Sequence, residues 1–143
     1  MSIYLDSAYI AKCYLNEPDA PKVRALLRGK PGLTSSAFCV AEMACIFQRH
    51  VREGGLTRAQ AARLRGFFRA DVGAGVWALL PITQPLLDEV DRRVRALPRT
   101  VYLRAGDAIH LTAARAEGFA EIWSNDRHML AAASHFGIVG KSV

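Results

Sequence analysis

The run Ser2-Ile3-Tyr4-Leu5-Asp6-Ser7 constrains this chain most. Apolar and β-favouring residues lead straight into an aspartate, and a short apolar segment, Ala8 to Leu15, follows. A strand whose apolar residues continue without alternation has both faces covered, as in a parallel sheet flanked by helices. Asp6 is the only charged side chain between Met1 and Ile10. It is therefore expected where the strand stops, at the carboxyl edge of the sheet, where open α/β folds bind ligands. A chemical centre at that edge would draw further acids from distant sequence.

The rest of the chain alternates short strands with helices. A helix over Ala8–Leu15 is broken by Asn16-Glu17-Pro18-Asp19, and a second opens at Asp19 or Ala20 and ends at Gly29. Leu33-Thr34 reads as a strand, after which Ser35 or Ser36 caps a long helix to about Glu53, stopped by Gly54-Gly55. Thr57-Arg58-Ala59-Gln60 is a capping-box pattern for a helix carrying Ala61, Leu64, Phe67 and Phe68 inward. Val76–Ile82 is the next strand, and Thr83-Gln84-Pro85 starts a helix that ends before Pro98. A helix over Ala105–Glu117, a strand over Phe119–Ser124, a short helix capped by Asp126 and running to His135, and a strand at Ile138-Val139 complete the pattern. Such alternation predicts an α/β fold on a parallel sheet. The 143 residues suit one domain, 1–143, large enough for a core without disulfides.

Hydrophobic content of 51% against 22% charged residues fits a globular chain and not a disordered one. No apolar run reaches the roughly 20 residues needed to cross a bilayer. The N-terminus lacks a signal-peptide pattern, and the three cysteines, Cys13, Cys39 and Cys45, form no C-x-x-C, so the cytoplasm is the expected location. The net charge of +6, mostly arginine, suits a surface that gathers phosphates, although composition alone fits many Arg-rich domains.

Four acids stand in apolar company. Glu42 is the only charge from Leu33 to Phe47, and Asp107 the only formal charge between Arg104 and Arg115. Asp126 follows the strand that ends at Ser124, as Asp6 follows the first. Each has an ordinary structural role available: an exposed helix face or ion pair for Glu42, a dipole contact for Asp107, an N-cap for Asp126. Together they are expected to form one acidic site, because the two strand-end acids share the sheet edge that the two helical acids flank. Gathered carboxylates repel one another unless a cation neutralises them, and hard oxygen ligands suit Mg²⁺ or Mn²⁺. Such ions serve phosphoryl chemistry. His50, His110, His128 and His135 lack the paired spacing of a zinc site.

These residues resemble the PIN-domain family, and within it the VapC-like toxins of bacterial type II toxin–antitoxin pairs. The resemblance spans nearly the whole chain. It rests on Tyr4-Leu5-Asp6-Ser7-Ala8, Ala41-Glu42, Gly106-Asp107-Ala108-Ile109-His110-Leu111 and Ser124-Asn125-Asp126-Arg127-His128-Met129. It implies a three-layer α/β/α sandwich around a five-stranded parallel sheet and a metal-dependent endoribonuclease. The family's acidic quartet falls on Asp6, Glu42, Asp107 and Asp126. Asp6 and Asp107 would be the main ligands of Mg²⁺ or Mn²⁺, Glu42 would ligate through or orient water, and Asp126 would complete the cluster. Ser7 and Ser124 match the small hydroxyl positions beside these acids; Ser124 stands where the family often has threonine. An RNA substrate, a VapB-like antitoxin whose C-terminal segment blocks the site, and a homodimer are implied with them.

The arginines Arg49, Arg52, Arg58, Arg63, Arg65 and Arg69, flanking the end of the Glu42 helix, are candidate contacts to RNA phosphate, with a solvated helical face as the plain alternative. Arg104 and Arg127 stand beside predicted acids, where they could offset charge or hold the scissile phosphate. Phe67, Phe68 and Trp77 are expected in the core or at a dimer contact. Two rivals remain. A phosphoacceptor receiver domain also carries acids at strand ends, and Lys141 suits it, but it needs an acidic pair after the first strand, where this chain has one acid. A non-catalytic binding domain on the same fold would use the acids to hold a structural cation.

Overall fold

The computed structural model describes residues 2–143. In chain order its elements are β1 (Ser2–Leu5), α1 (Ser7–Ala11), α2 (Ala20–Leu27), β2 (Gly32–Ser36), α3 (Cys39–Arg52) and α4 (Arg58–Gly73). They continue as β3 (Trp77–Leu80), α5 (Gln84–Arg95), α6 (Ala105–Ala116), β4 (Glu121–Trp123), α7 (Arg127–Ala132), a 3₁₀ turn (Ala133–Phe136) and β5 (Val139–Lys141). The five strands form one sheet in the order β3-β2-β1-β4-β5, every pairing parallel.

Side chains alternate across β1 and so reach two cores. Leu5 joins Tyr9, Ile10, Val23, Met43, Phe47, Phe68 and Trp77, a cluster supplied by the segments from α1 to β3. Tyr4 joins Leu111, Ala114, Ile122, Met129, Ala132 and Phe136, the cluster of α6 and α7. The result is the three-layer α/β/α sandwich on a five-stranded parallel sheet that the sequence implies. Its topology also fixes a place for a site. From β1 the chain steps outward to β2 and β3, then returns through α5 and α6 to β4 on the other side of β1. The order reverses at β1, and a crevice at such a reversal opens beyond the carboxyl ends of the strands.

Several boundaries differ from those read in the sequence. The first helix stops at Ala11 rather than Leu15, because Cys13 and Tyr14 donate to carbonyls three residues back, at Ile10 and Ala11, and tighten the chain into a turn. Strand β2 extends through Ser35 and Ser36, so neither serine is the N-cap of α3. The Ser35 hydroxyl donates to Leu5 O (2.8 Å), tying β2 to β1, and the Ser36 hydroxyl accepts from Phe38 N (3.1 Å) ahead of a helix that begins at Cys39. The Thr57–Gln60 capping box forms as read. Phe68 and Trp77 are buried in the first core, but Phe67 is 49% exposed under the Arg63 guanidinium, not inward.

A short polar chain pins this first core. Tyr14 Oη donates to Asp71 Oδ2 on α4 (2.5 Å) and accepts from Trp77 Nε1 on β3 (2.7 Å). Tyr14→Phe leaves the buried indole N–H without its acceptor. It should cost about 1–3 kcal/mol and lower the melting temperature by roughly 3–10 °C. An unchanged melting curve would show that this chain of hydrogen bonds adds nothing.

Candidate active site

Asp6 follows the last residue of β1 with an extended backbone and caps α1: its Oδ1 accepts from Tyr9 N (3.0 Å). Its other oxygen accepts from Ser124 Oγ at 2.5 Å. Register explains the pair. Leu5 stands opposite Trp123, and Asp6 N donates to Trp123 O, so the next residues of β1 and β4, Asp6 and Ser124, emerge side by side. Asp6 is only 4% exposed. Burial pushes its carboxyl up to about 6, against the opposing pull of the Ser124 hydroxyl and the Tyr9 N–H.

Asp126, N-cap of α7, follows two residues later. Its Oδ1 accepts from His128 N (2.8 Å) and Met129 N (3.0 Å), while Asp126 N donates back to Ser124 Oγ (2.9 Å). Ser124 thus touches both strand-end acids. Asp107 lies in the first turn of α6, buried, and its carboxyl is raised by burial and then by the charge of Asp126. Arg104, the N-cap of α6, opposes that rise. Its guanidinium donates to Asp107 Oδ2 (3.4 Å) and to Asp126 Oδ2 (2.9 Å), and the two acids raise its own pKa in turn.

Glu42, in the first turn of α3, meets α6 over a glycine. A Cβ on Gly106 would lie 3.2 Å from Glu42 Oε2 and 3.0 Å from the Phe38 ring, so glycine lets α6 settle this close without pushing either side chain aside. The other Glu42 oxygen lies 2.5 Å from His110 Nε2, and His110 Nδ1 lies 2.8 Å from Tyr4 Oη. A carboxylate only accepts, so Nε2 carries a proton toward Glu42, while Nδ1 pairs with the Tyr4 hydroxyl. His110 is 0% exposed. Burial holds the Tyr4 phenol above its ordinary pKa, which keeps it a donor. A fixed line therefore runs from β1 through α6 to Glu42.

The four predicted acids lie within charge range of one another beyond the sheet reversal, Glu42 acting on Asp6 and on Asp107, and Asp126 on Asp107, although among the described residues no three are gathered closely enough to hold an ion. Ser124 belongs with them directly. Ser7 opens α1 and, with Phe38, Ala41 and Glu42, lines a depression of about 290 Å³ beside the glutamate. Arg104 and Arg127 also stand there, the first bonded to two acids, the second opening α7. Arg49 and Arg52 occupy the last turn of α3, at the end of the Glu42 helix, roughly 10–15 Å along the axis from Glu42 at 1.5 Å per residue. Lys141, the residue that favoured a receiver domain, pairs with Glu121 on the neighbouring strand and not with the acids. Tyr4 and His110 were missed by the sequence reading. His110 stands three residues after Asp107 on one helix, a spacing that puts both on one face.

The raised Asp6 carboxyl has a consequence for stability. The native state holds this proton more tightly than the unfolded chain does. Its contribution is complete below about pH 4 and is lost as pH rises through 6. In chelator, Asp6→Asn should therefore be stabilised relative to the wild type more at pH 8 than at pH 4, by about 2–3 kcal/mol. Denaturant unfolding at the two pH values measures this, and a pH-independent difference would contradict it.

The PIN domain family model matches residues 3–134. Three solved structures share the fold. VapC20 of Mycobacterium tuberculosis, a sarcin-ricin loop cleaving toxin, aligns with a TM-score of 0.68 at 16% identity over 91% of this chain and 94% of that one. VapBC2 from Rickettsia felis, bound to a DNA fragment from their promoter, gives 0.67 at 11% identity over 99% and 98%. FitAB bound to an IR36 DNA fragment gives 0.68 at 16% identity over 99% and 94%. No curated protein gives a significant match. With the family model matched across nearly its full length and the three-layer architecture in place, the chain belongs to the PIN domain family.

Proposed function

We propose that this protein is a Mg²⁺- or Mn²⁺-dependent endoribonuclease, the VapC-like toxin of a type II toxin–antitoxin pair, held in check by a VapB-like antitoxin in the cytoplasm and working as a homodimer of single-domain chains. The observation that carries this reading is that Asp6, Glu42, Asp107 and Asp126, from four separate elements, act on one another's charge at the crevice where the strand order reverses, with Arg104 joining Asp107 to Asp126. Membership in the PIN family supports it. So does the shared fold with VapC20, described as a sarcin-ricin loop cleaving toxin.

The residues fit a hard divalent cation. The donors are carboxylate oxygens, and a guanidinium already bridges two of them, so a positive charge belongs in the cleft. Among the described residues no three His, Cys, Asp or Glu side chains already stand close enough together to hold a metal ion. Mg²⁺ usually takes one or two protein carboxylates and keeps several waters, so two of these acids would suffice to hold it. Asp6 and Asp107 are the ligands in this reading. When bound, the ion offsets the charge that develops on the phosphoryl group during displacement.

The chain's own groups do the rest. Glu42, oriented by His110 and Tyr4, faces the cleft as the acceptor for a proton from the attacking water. Asp126 completes the negative cluster, and the Ser124 hydroxyl holds Asp6 in one rotamer. Ser7 lines the approach beside Glu42. Arg104 and Arg127 bind the scissile phosphate and its neighbour; the more distant Arg49 and Arg52 meet the RNA backbone farther along.

Purified protein freed of antitoxin should cleave structured RNA with Mg²⁺ or Mn²⁺ and not with chelator, and Asp107→Asn should lower the rate at least about 10²-fold. Saturating Mn²⁺ should raise the melting temperature of the wild type and leave Asp6→Asn unmoved. Undiminished cleavage by Asp107→Asn, or the absence of cleavage across several RNAs, would refute the assignment.

A further inference from the structure

The segment that leads into α6 carries an aromatic side chain that belongs to neither core. Val101 and Leu103 pack against the second core, while Tyr102 between them is 58% exposed. Extended chain alternates its side chains, so two inward anchors fix the middle residue outward. Its ring is further held by His128: the centroids are 4.7 Å apart and the planes meet at 65°, an edge-to-face contact. His128 is itself tied to the acidic cleft, since its N–H donates to Asp126 Oδ1. Two residues beyond Tyr102, Arg104 reaches Asp107 and Asp126. Tyr102 therefore stands at the rim of the cleft, with cations on both sides of it in sequence, Arg99 and Arg104, and Arg127 beside its ring partner.

We propose that Tyr102, seated against His128 at the rim of the acidic cleft, stacks on an unpaired nucleobase next to the phosphate that the site attacks. This deepens the endoribonuclease reading and rests on it. In an edge-to-face pair at least one face of the tyrosine ring stays uncovered, and an aromatic face accepts any splayed base because every base has a π-face. Arg104 and Arg127 lie where the phosphates flanking such a base would run. The platform selects for single-stranded substrate: a paired base is already stacked within its helix and cannot be offered to the ring. Phe67, the other exposed aromatic ring, sits on α4 beneath Arg63 and has no such link to the acids.

The test separates binding from cleavage. Affinity of the full chain for short single-stranded oligoribonucleotides is measured by fluorescence anisotropy in chelator, for wild type, Tyr102→Ala and Tyr102→Phe, with melting curves to verify that each variant is folded. Tyr102→Ala should weaken binding about ten-fold, the scale of one base stacked on an aromatic ring, and Tyr102→Phe should stay within about two-fold of wild type. An abasic nucleotide scanned along the oligomer should weaken wild-type binding at one position, and Tyr102→Ala should lose that positional effect. Equal affinities in wild type and Tyr102→Ala overturn the proposal, as does a loss shared by Tyr102→Phe, which would assign the effect to the hydroxyl. An exposed ring used only to contact a protein partner gives the first of these results. Cleavage with Mn²⁺ by a wild type whose RNA affinity ignores Tyr102 would leave the nuclease reading standing and remove the platform. Tyr102-dependent binding without cleavage would do the reverse.

Discussion

A buried carboxylate must be neutral, or bonded, or beside a cation, and the carboxyl edge of this sheet is arranged around that requirement at Asp6. The hydroxyl of Ser124 meets it from β4, and the Tyr9 N–H meets it from the helix that Asp6 caps. Both donors exist because of strand order. β1 lies at the centre of the sheet with β4 beside it, and the two strands release their next residues side by side. Had β4 been displaced by one residue, Ser124 would face the opposite side and Asp6 would lose its closest partner. Even with both donors, burial still wins at Asp6, which is why its carboxyl remains above the usual range. A site held in this condition is poised to gain from a cation.

The flanking acids are held by different means. Asp107 and Asp126 share one guanidinium, an arrangement that compensates charge while leaving Arg104 largely in solvent and free to turn toward a phosphate. Glu42 is held from below by a histidine that no water reaches, backed by a tyrosine from β1. One helix, α6, carries Asp107, His110 and the Gly106 that admits α3, so its first turn and a half organises most of the cleft. This concentration accounts for the compact Gly106-Asp107-Ala108-Ile109-His110 stretch in chemical terms. Each position either contributes a group or makes room for one.

Much of this was legible in the sequence, for identifiable reasons. The acids could be found because each was a lone charge in an apolar stretch, and lone buried charges are rare without a purpose. The parallel sheet followed from unalternating strands between helices, and the Thr57–Gln60 cap from its own residues. What the sequence hid was long-range pairing. The union of Tyr4 with His110 spans 106 residues and that of Ser124 with Asp6 spans 118, and neither leaves a local pattern. Ser35 and Ser36 were misplaced because serine before an apolar helix is the usual cap signal, and only the neighbouring strands reveal that both belong to β2. Phe67 was misplaced because two adjacent phenylalanines on a helix cannot both face the core.

The central claim is that the crevice beyond β1 and β4 is a cation site built on Asp6 and Asp107. Crystals grown in chelator and then exposed to Mn²⁺ test this most directly, by anomalous diffraction at the manganese edge. The account predicts one strong peak in contact with Asp6 and Asp107, with the Arg104 guanidinium turned away from Asp107. No peak in the crevice at saturating Mn²⁺, with Arg104 still bridging Asp107 and Asp126, would contradict it.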